Sequence, residues 1–232
     1  MTASLVGTPS SVDASTQNSS ASVTVPSGIA RVVAFWVAWT SGGISLSSLT
    51  LDGNSFTIDE SLAVSGDACA VAIATLDYSG NGSKTLAWTQ SAAPTEGAPI
   101  VLLYLDEAGT VRASDSSAWT GTAAGSVTIS SVAADFVAGL VGVYYAPPGS
   151  PNHADANATG QTVQVDDYSV NVRSIDVATV DSPGASTTTF QTGSDGYYGG
   201  VAAISIAEVA AGGANPKGPL GMPLHGPFGG PV

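Results

Sequence analysis

The residues whose types could do chemistry are few in this chain: His153 and His225, Cys69, and the adjacent acids Asp59-Glu60, Asp106-Glu107 and Asp166-Asp167. A Ser-His-Asp hydrolase needs a histidine held in fixed geometry beside its serine. His153 falls in the turn-rich stretch "SPNHADAN", His225 falls near the C-terminus, and no G-x-S-x-G elbow occurs. Both are read as ordinary surface histidines. Paired carboxylates could serve a glycosidase, but neighbouring residues of a strand point to opposite faces, so each acid pair is expected to be split. The nearest approach to a calcium loop, "DYSGNGS" at 77 to 83, lacks a second acidic ligand and a closing Glu and reads as a tight turn. Cys69 sits in the apolar run "ACAVAIATL" and is expected to be a small buried side chain. No catalytic residue, cofactor site or metal site is assigned.

The elements that would position such groups are strands. Of 232 residues, 44% are hydrophobic and 10% charged, with short β-branched runs and alternation recurring throughout. Strands are expected at 22–25, 31–39, 48–52, 55–59, 68–77, 84–88 and 99–106, and again at 126–130, 135–145, 162–165, 170–180, 186–192 and 198–209. Asp52-Gly53 predicts a two-residue hairpin turn. "VLLYL" and "AVAIATL" are apolar on successive residues, which predicts central strands buried on both faces or facing a partner subunit. The fold class is all-β, a two-sheet antiparallel sandwich of jelly-roll or Greek-key type with an extended Pro/Gly-rich C-terminal arm. The expected organisation is an extended N-terminal segment at 1–20, the sandwich at 21–209, and the arm at 210–232.

Five cations against eighteen acids give a formal net charge of −13, and the cations are scattered singly. That charge disfavours nucleic acid and anionic membrane surfaces as partners. No Lys or Arg precedes Arg31 and no apolar run reaches signal-peptide length, so the expectation is a protein made in the cytoplasm without a signal peptide.

The order "VTVPSG" (23 to 28), "RVVAFWVAW", "SSLTLDGNSFT", "ACAVAIATLD", "GSKTLAWT", "VLLYLDEAG" and "DGYYGGVAAISI" resembles the β-sandwich domains of bacterial surface proteins and bacteriophage structural proteins. Tyr197-Tyr198 stand where the closing strand of those domains often has Trp. The resemblance implies a fold and a virion-surface setting, and it implies no catalytic residues. It points to a non-enzymatic virion structural protein, foremost a capsid decoration or cement protein. Its expected partners are capsid or other virion proteins and further copies of itself, a trimer being favoured. A carbohydrate-binding adhesin of a tail tip or head fibre and a glycan depolymerase are the alternatives.

Two sets of residues carry the binding expectation. In the ending "NPKGPLGMPLHGPFGGPV", proline and glycine exclude a regular ladder, yet Leu220, Met222, Leu224, Phe228 and Val232 are poor choices for a solvated tail. With Pro219 they are expected to plug shallow pockets on a neighbouring subunit. The aromatics Trp119, Tyr144, Tyr145, Tyr197 and Tyr198 lie near predicted strand ends, suited to core or subunit-interface packing or to stacking on a host glycan.

Overall fold

The computed structural model describes residues 3–39, 43–63, 69–94, 97–120, 125–144, 158–169, 173–192 and 198–209. Its first half contains β1 (Ser10–Asp13), β2 (Asn18–Val25), β3 (Arg31–Trp39), β4 (Leu46–Leu51), β5 (Asn54–Ser55), β6 (Thr57–Leu62), β7 (Cys69–Asp77), β8 (Gly82–Gln90) and β9 (Pro99–Leu105). The second half contains β10 (Val111–Thr120), β11 (Ser126–Ser130), β12 (Phe136–Tyr144), β13 (Gln161–Ser169), β14 (Arg173–Val180), β15 (Thr187–Gln191) and β16 (Tyr198–Ile206). Every strand pair among the described residues is antiparallel, and the fold is all-β and sandwich-like as expected, built from four sheets where two were expected.

The sandwich occurs twice. In the first half a sheet ordered β1-β9-β3-β7-β6 packs on one ordered β2-β8-β4-β5. In the second half a sheet ordered β10-β16-β12-β14-β13 packs on the pair β11-β15. Position by position the two large sheets have the same connectivity: the first strand pairs with the last, and the last with the long apolar strand. The two large sheets then pack on each other, with β12 against β3 and β7, β16 against β7, and β10 against β6.

Strand alternation explains how one sheet feeds two cores. Along β3, Val32, Ala34, Trp36 and Ala38 join the core against the outer sheet, while Val33, Phe35 and Val37 join the core between the halves. Both sets are buried. The successive apolar residues of β3, β7 and β9 are therefore explained by a covering layer on each face, the second layer coming from the same chain.

Asp52 and Gly53 have φ of 53° and 81° and join β4 to β5 with Leu51 opposite Asn54, the two-residue turn expected from "DG". The N-terminal segment contributes an edge strand: Ser10 to Asp13 pair with β9, and Leu5 bridges to Leu105. Buried polar groups in the first core are satisfied in a chain. The Trp36 indole donates to Gln90 Oε1 at 3.2 Å, and Gln90 Nε2 donates to the carbonyls of Ala14 and Thr16 at 2.8 and 2.9 Å.

Candidate functional site

The acids meet first at the seam where edge strand β6 lies against edge strand β10. Ile58 is opposite Ala74 but Glu60 is opposite Ile73, so Asp59 is the extra residue of a bulge. Thr75 shares its face of β7 with Ile73, and its hydroxyl hydrogen-bonds the Asp59 carboxylate. Asp59 and Glu60 consequently turn to the same face, correcting the expectation that adjacency would separate them. The bulge is the reason, since it breaks the two-residue period of the strand. Both are used as struts between the halves: Ser116 Oγ donates to Glu60 Oε1 at 2.6 Å, and Ser114 Oγ donates to the Asp59 carbonyl at 2.9 Å. Burial raises the Asp59 pKa, with the Thr75 hydrogen bond and the Arg31 charge opposing it.

Arg31, at the start of β3, is buried and donates to Asp77 Oδ1 through Nε at 2.8 Å and Nη2 at 2.6 Å. The acid of the "DYSGNGS" turn is thereby engaged with a guanidinium. No group of three or more His, Cys, Asp or Glu among the described residues is placed to hold a metal ion.

A second cluster stands at the head of β12. Asp135 is 2% exposed. Its carboxylate receives a forked pair from Arg112, Nε to Oδ2 at 2.6 Å and Nη2 to Oδ1 at 3.1 Å. The Ser205 hydroxyl and the Val132 amide add bonds to Oδ2 at 2.8 and 2.9 Å. Burial pushes the Asp135 pKa up, but these donors outweigh it and hold the group below the ordinary carboxylate value. The cluster ties β10, β12 and β16 together. Sequence reasoning missed it because β10 was not foreseen. The available signal was a lone arginine in "VRASDSS" and an acid opening the apolar run "DFVAGL".

Asp135 also lines a groove of about 300 Å³, which opens where the start of β12 and the end of β14 meet the N-terminal segment. Its apolar walls include Leu5, Phe136, Val137, Val180 and Pro183, with Ser4, Thr179 and Asp181 giving it polar edges.

Of the aromatics, Trp119 is 8% exposed and belongs to the core of the second sandwich. It lies over Gly125 and Gly199, where a methyl group on either glycine would run into the indole. Tyr144 and Tyr198 are cross-strand partners in β12 and β16, next to Thr120. Tyr145, Tyr197, His153, His225 and the arm residues Pro219, Leu220, Met222, Leu224, Phe228 and Val232 lie outside the described residues. Cys69 is buried between the halves. Comparison of the chain with protein-family models, curated proteins and solved structures gave no match.

Proposed function

We propose that the chain is a non-enzymatic structural protein of a bacteriophage particle, a decoration or cement protein of the outer capsid surface that clamps neighbouring subunits through its C-terminal arm. The observation that carries the reading is the place where the arm is rooted. It follows β16, a central strand paired on both sides by β10 and β12, and the exit is fixed by the Ala207 amide donating to the Thr110 carbonyl at 2.8 Å. A segment carrying five separate apolar residues from such a firm root is suited to transmitting load to a neighbour.

The acidic body supports an outward position, since negative charge is repelled by packaged nucleic acid. The ion pairs Arg31–Asp77 and Arg112–Asp135 support a scaffold role, because each spends its charges holding strands together.

Quantitative mass spectrometry of purified particles tests the assignment. A copy number near that of the major capsid protein is expected; a handful of copies would move the protein to the tail or a fibre, and absence would overturn the virion reading. Removing 210–232 is expected to leave the thermal unfolding of the body unchanged and to abolish attachment to particles lacking this protein.

A further inference from the structure

The backbone of β2 is open along one side. Among the described residues this strand pairs with β8 alone, in register without a break over eight residues. The Gln90 amide donates to the Gln17 carbonyl at 2.8 Å, which sets the phase of the ladder. Odd-numbered residues of β2 therefore exchange bonds with β8, and even-numbered ones turn their N–H and C=O groups to the open side. The Thr24 carbonyl on that side accepts from the Tyr104 hydroxyl at 3.5 Å. Asn18, Ser20 and Ser22 remain, all exposed and none charged.

The other edge strands are guarded. β1 has four residues and ends in Asp13, and β5 has only two residues. β6, β10 and β13 each carry a register shift and charged side chains, and β6 and β10 also cover one another. β11 lies along β10. The far side of β15 is capped by a side chain: Gln161 Nε2 donates to the Gln191 carbonyl, and the Gln191 amide donates to Gln161 Oε1, both at 3.0 Å. Among the described residues, β2 has no charge, no proline, no bulge and no covering element on its open side.

We infer that this open edge pairs antiparallel with β2 of a second copy of the chain, joining two four-stranded outer sheets into one continuous sheet. Three features select that occupant. First, the free residues fit themselves: a two-fold centred on Ser20 sets Ser20 opposite the partner's Ser20 and Asn18 opposite the partner's Ser22, so each outward N–H and C=O meets its complement. Second, a formal net charge of −13 opposes contact between copies, yet the sheet of β2, β8, β4 and β5 holds a single charged residue, Lys84, which is bonded to Asp52. Pairing through β1, β10 or β13 would instead bring Asp13, Asp115, or Asp166 and Asp167 against another acidic chain. Third, the chain's own C-terminal segment is a poor competitor for the edge. Ten of its eighteen residues at 215–232 are proline or glycine, both depleted in strands. The pairing does not depend on the arm.

Sedimentation velocity and amide hydrogen exchange on the full chain test this. The wild-type chain is expected to pass from single copies to pairs as concentration rises, with the Ser20 and Ser22 amides exchanging roughly tenfold more slowly in the pair. Ser20→Pro removes a donor from the open side and leaves the bonds to β8, whereas Ser20→Lys sets two like charges opposite each other across the two-fold. Each variant is expected to weaken pairing about tenfold or more with an unchanged unfolding temperature. Ser20→Lys, at an exposed position, decides the matter should Ser20→Pro fail to fold. Single copies at every concentration overturn the inference, as does assembly that closes at three copies, since a two-fold closes at two. Association that persists in folded Ser20→Lys, or that leaves the Ser20 and Ser22 amides unprotected, overturns it as well. If that association is lost on removing 210–232, the arm joins the copies instead.

Discussion

Val37 of β3 and Gly142 of β12 face each other across the junction of the two halves. A Cβ at position 142 would lie 2.7 Å from Val37 Cγ1. Each residue stands six positions after the start of its strand, at Arg31 and Phe136, so they are corresponding members of the repeated sheet. A valine on one side is accommodated by a glycine on the other. The same exchange recurs at Val71 and Gly200, where the added Cβ would lie 2.6 Å from Val71 Cγ1. Close packing of two flat apolar faces needs such matched bumps and hollows.

Gly142→Ala is therefore expected to destabilise the protein by about 1–3 kcal/mol, the usual cost of overpacking. Val37→Ala in the same chain is expected to return part of that loss. Chemical denaturation of the two single variants and the double variant measures the coupling, and additive losses would show that the two side chains do not share one space.

Asp135 is expected to dominate acid sensitivity. Its pKa is lower in the folded chain than in the unfolded one, so its contribution is fully present above the unfolded value of about 3.9 and is lost as pH falls through the folded value. Asp135→Asn should cost about 2–4 kcal/mol near neutral pH, because the fork from Arg112 and the bonds from Ser205 and the Val132 amide lose their charged acceptor. Thermal unfolding of both proteins from neutral pH downward checks this. Their difference should shrink below about pH 4.

Asp59 is expected to behave with the opposite sign. Burial raises its folded pKa, so the folded chain holds this proton more tightly and stability falls as pH rises through the window above about 3.9. Asp59→Asn should be at least as stable as the wild type at neutral pH, where the buried charge is a cost, and should flatten the pH dependence in that window. Unfolding temperatures measured across the window would refute this if the variant lost stability at neutral pH.

A break in the backbone between β9 and β10 is expected to be tolerated. The link at Asp106 to Thr110 joins two sandwiches that already share a continuous core of Val33, Phe35, Leu103, Leu140, Ile175 and Ile204. Residues 1–107 and 108–232 produced together should co-purify as one folded species, whereas each produced alone should aggregate through its exposed face. Soluble, separate halves that do not associate would argue against the shared core as the main bond.

Much of the strand list is legible in the sequence. β3 and β11 have the expected bounds, and β7, β9, β12 and β16 differ from expectation only at their ends. Two strands, β1 and β10, which open the two halves, were not foreseen, and the single strand expected at 55–59 is divided between β5 and β6, which belong to different sheets. β1 and β10 are edge strands, each paired on one side only, with β9 and β16. "SSVD" and most of "VRASDSSAWT" are polar because an edge strand needs a partner for its backbone more than a core for its side chains. Missing β10 also hid Arg112 and Ser114 to Ser116, and with them the Asp135 cluster and the struts at the seam. The repeat left traces in "SVTV" and "SVTI" at 22 and 126 and in "ATLD" and "ATVD" at 74 and 178. They are short because corresponding positions exchange large for small residues, as Val37 and Gly142 do.

The sequence by itself determined the class of the fold, the sharp "DG" turn, the doubly buried strands and the acidity of the surface. These follow from local backbone preferences, from the alternation of side chains along a strand, and from composition. Only the tertiary structure decided what covers the second face of the β3 sheet, that Asp59 and Glu60 turn to one side, and that Asp135 and Arg112 meet. Those outcomes depend on register, on one bulged residue, and on the approach of segments far apart in the chain, and such long-range choices leave little mark on any single stretch of residues.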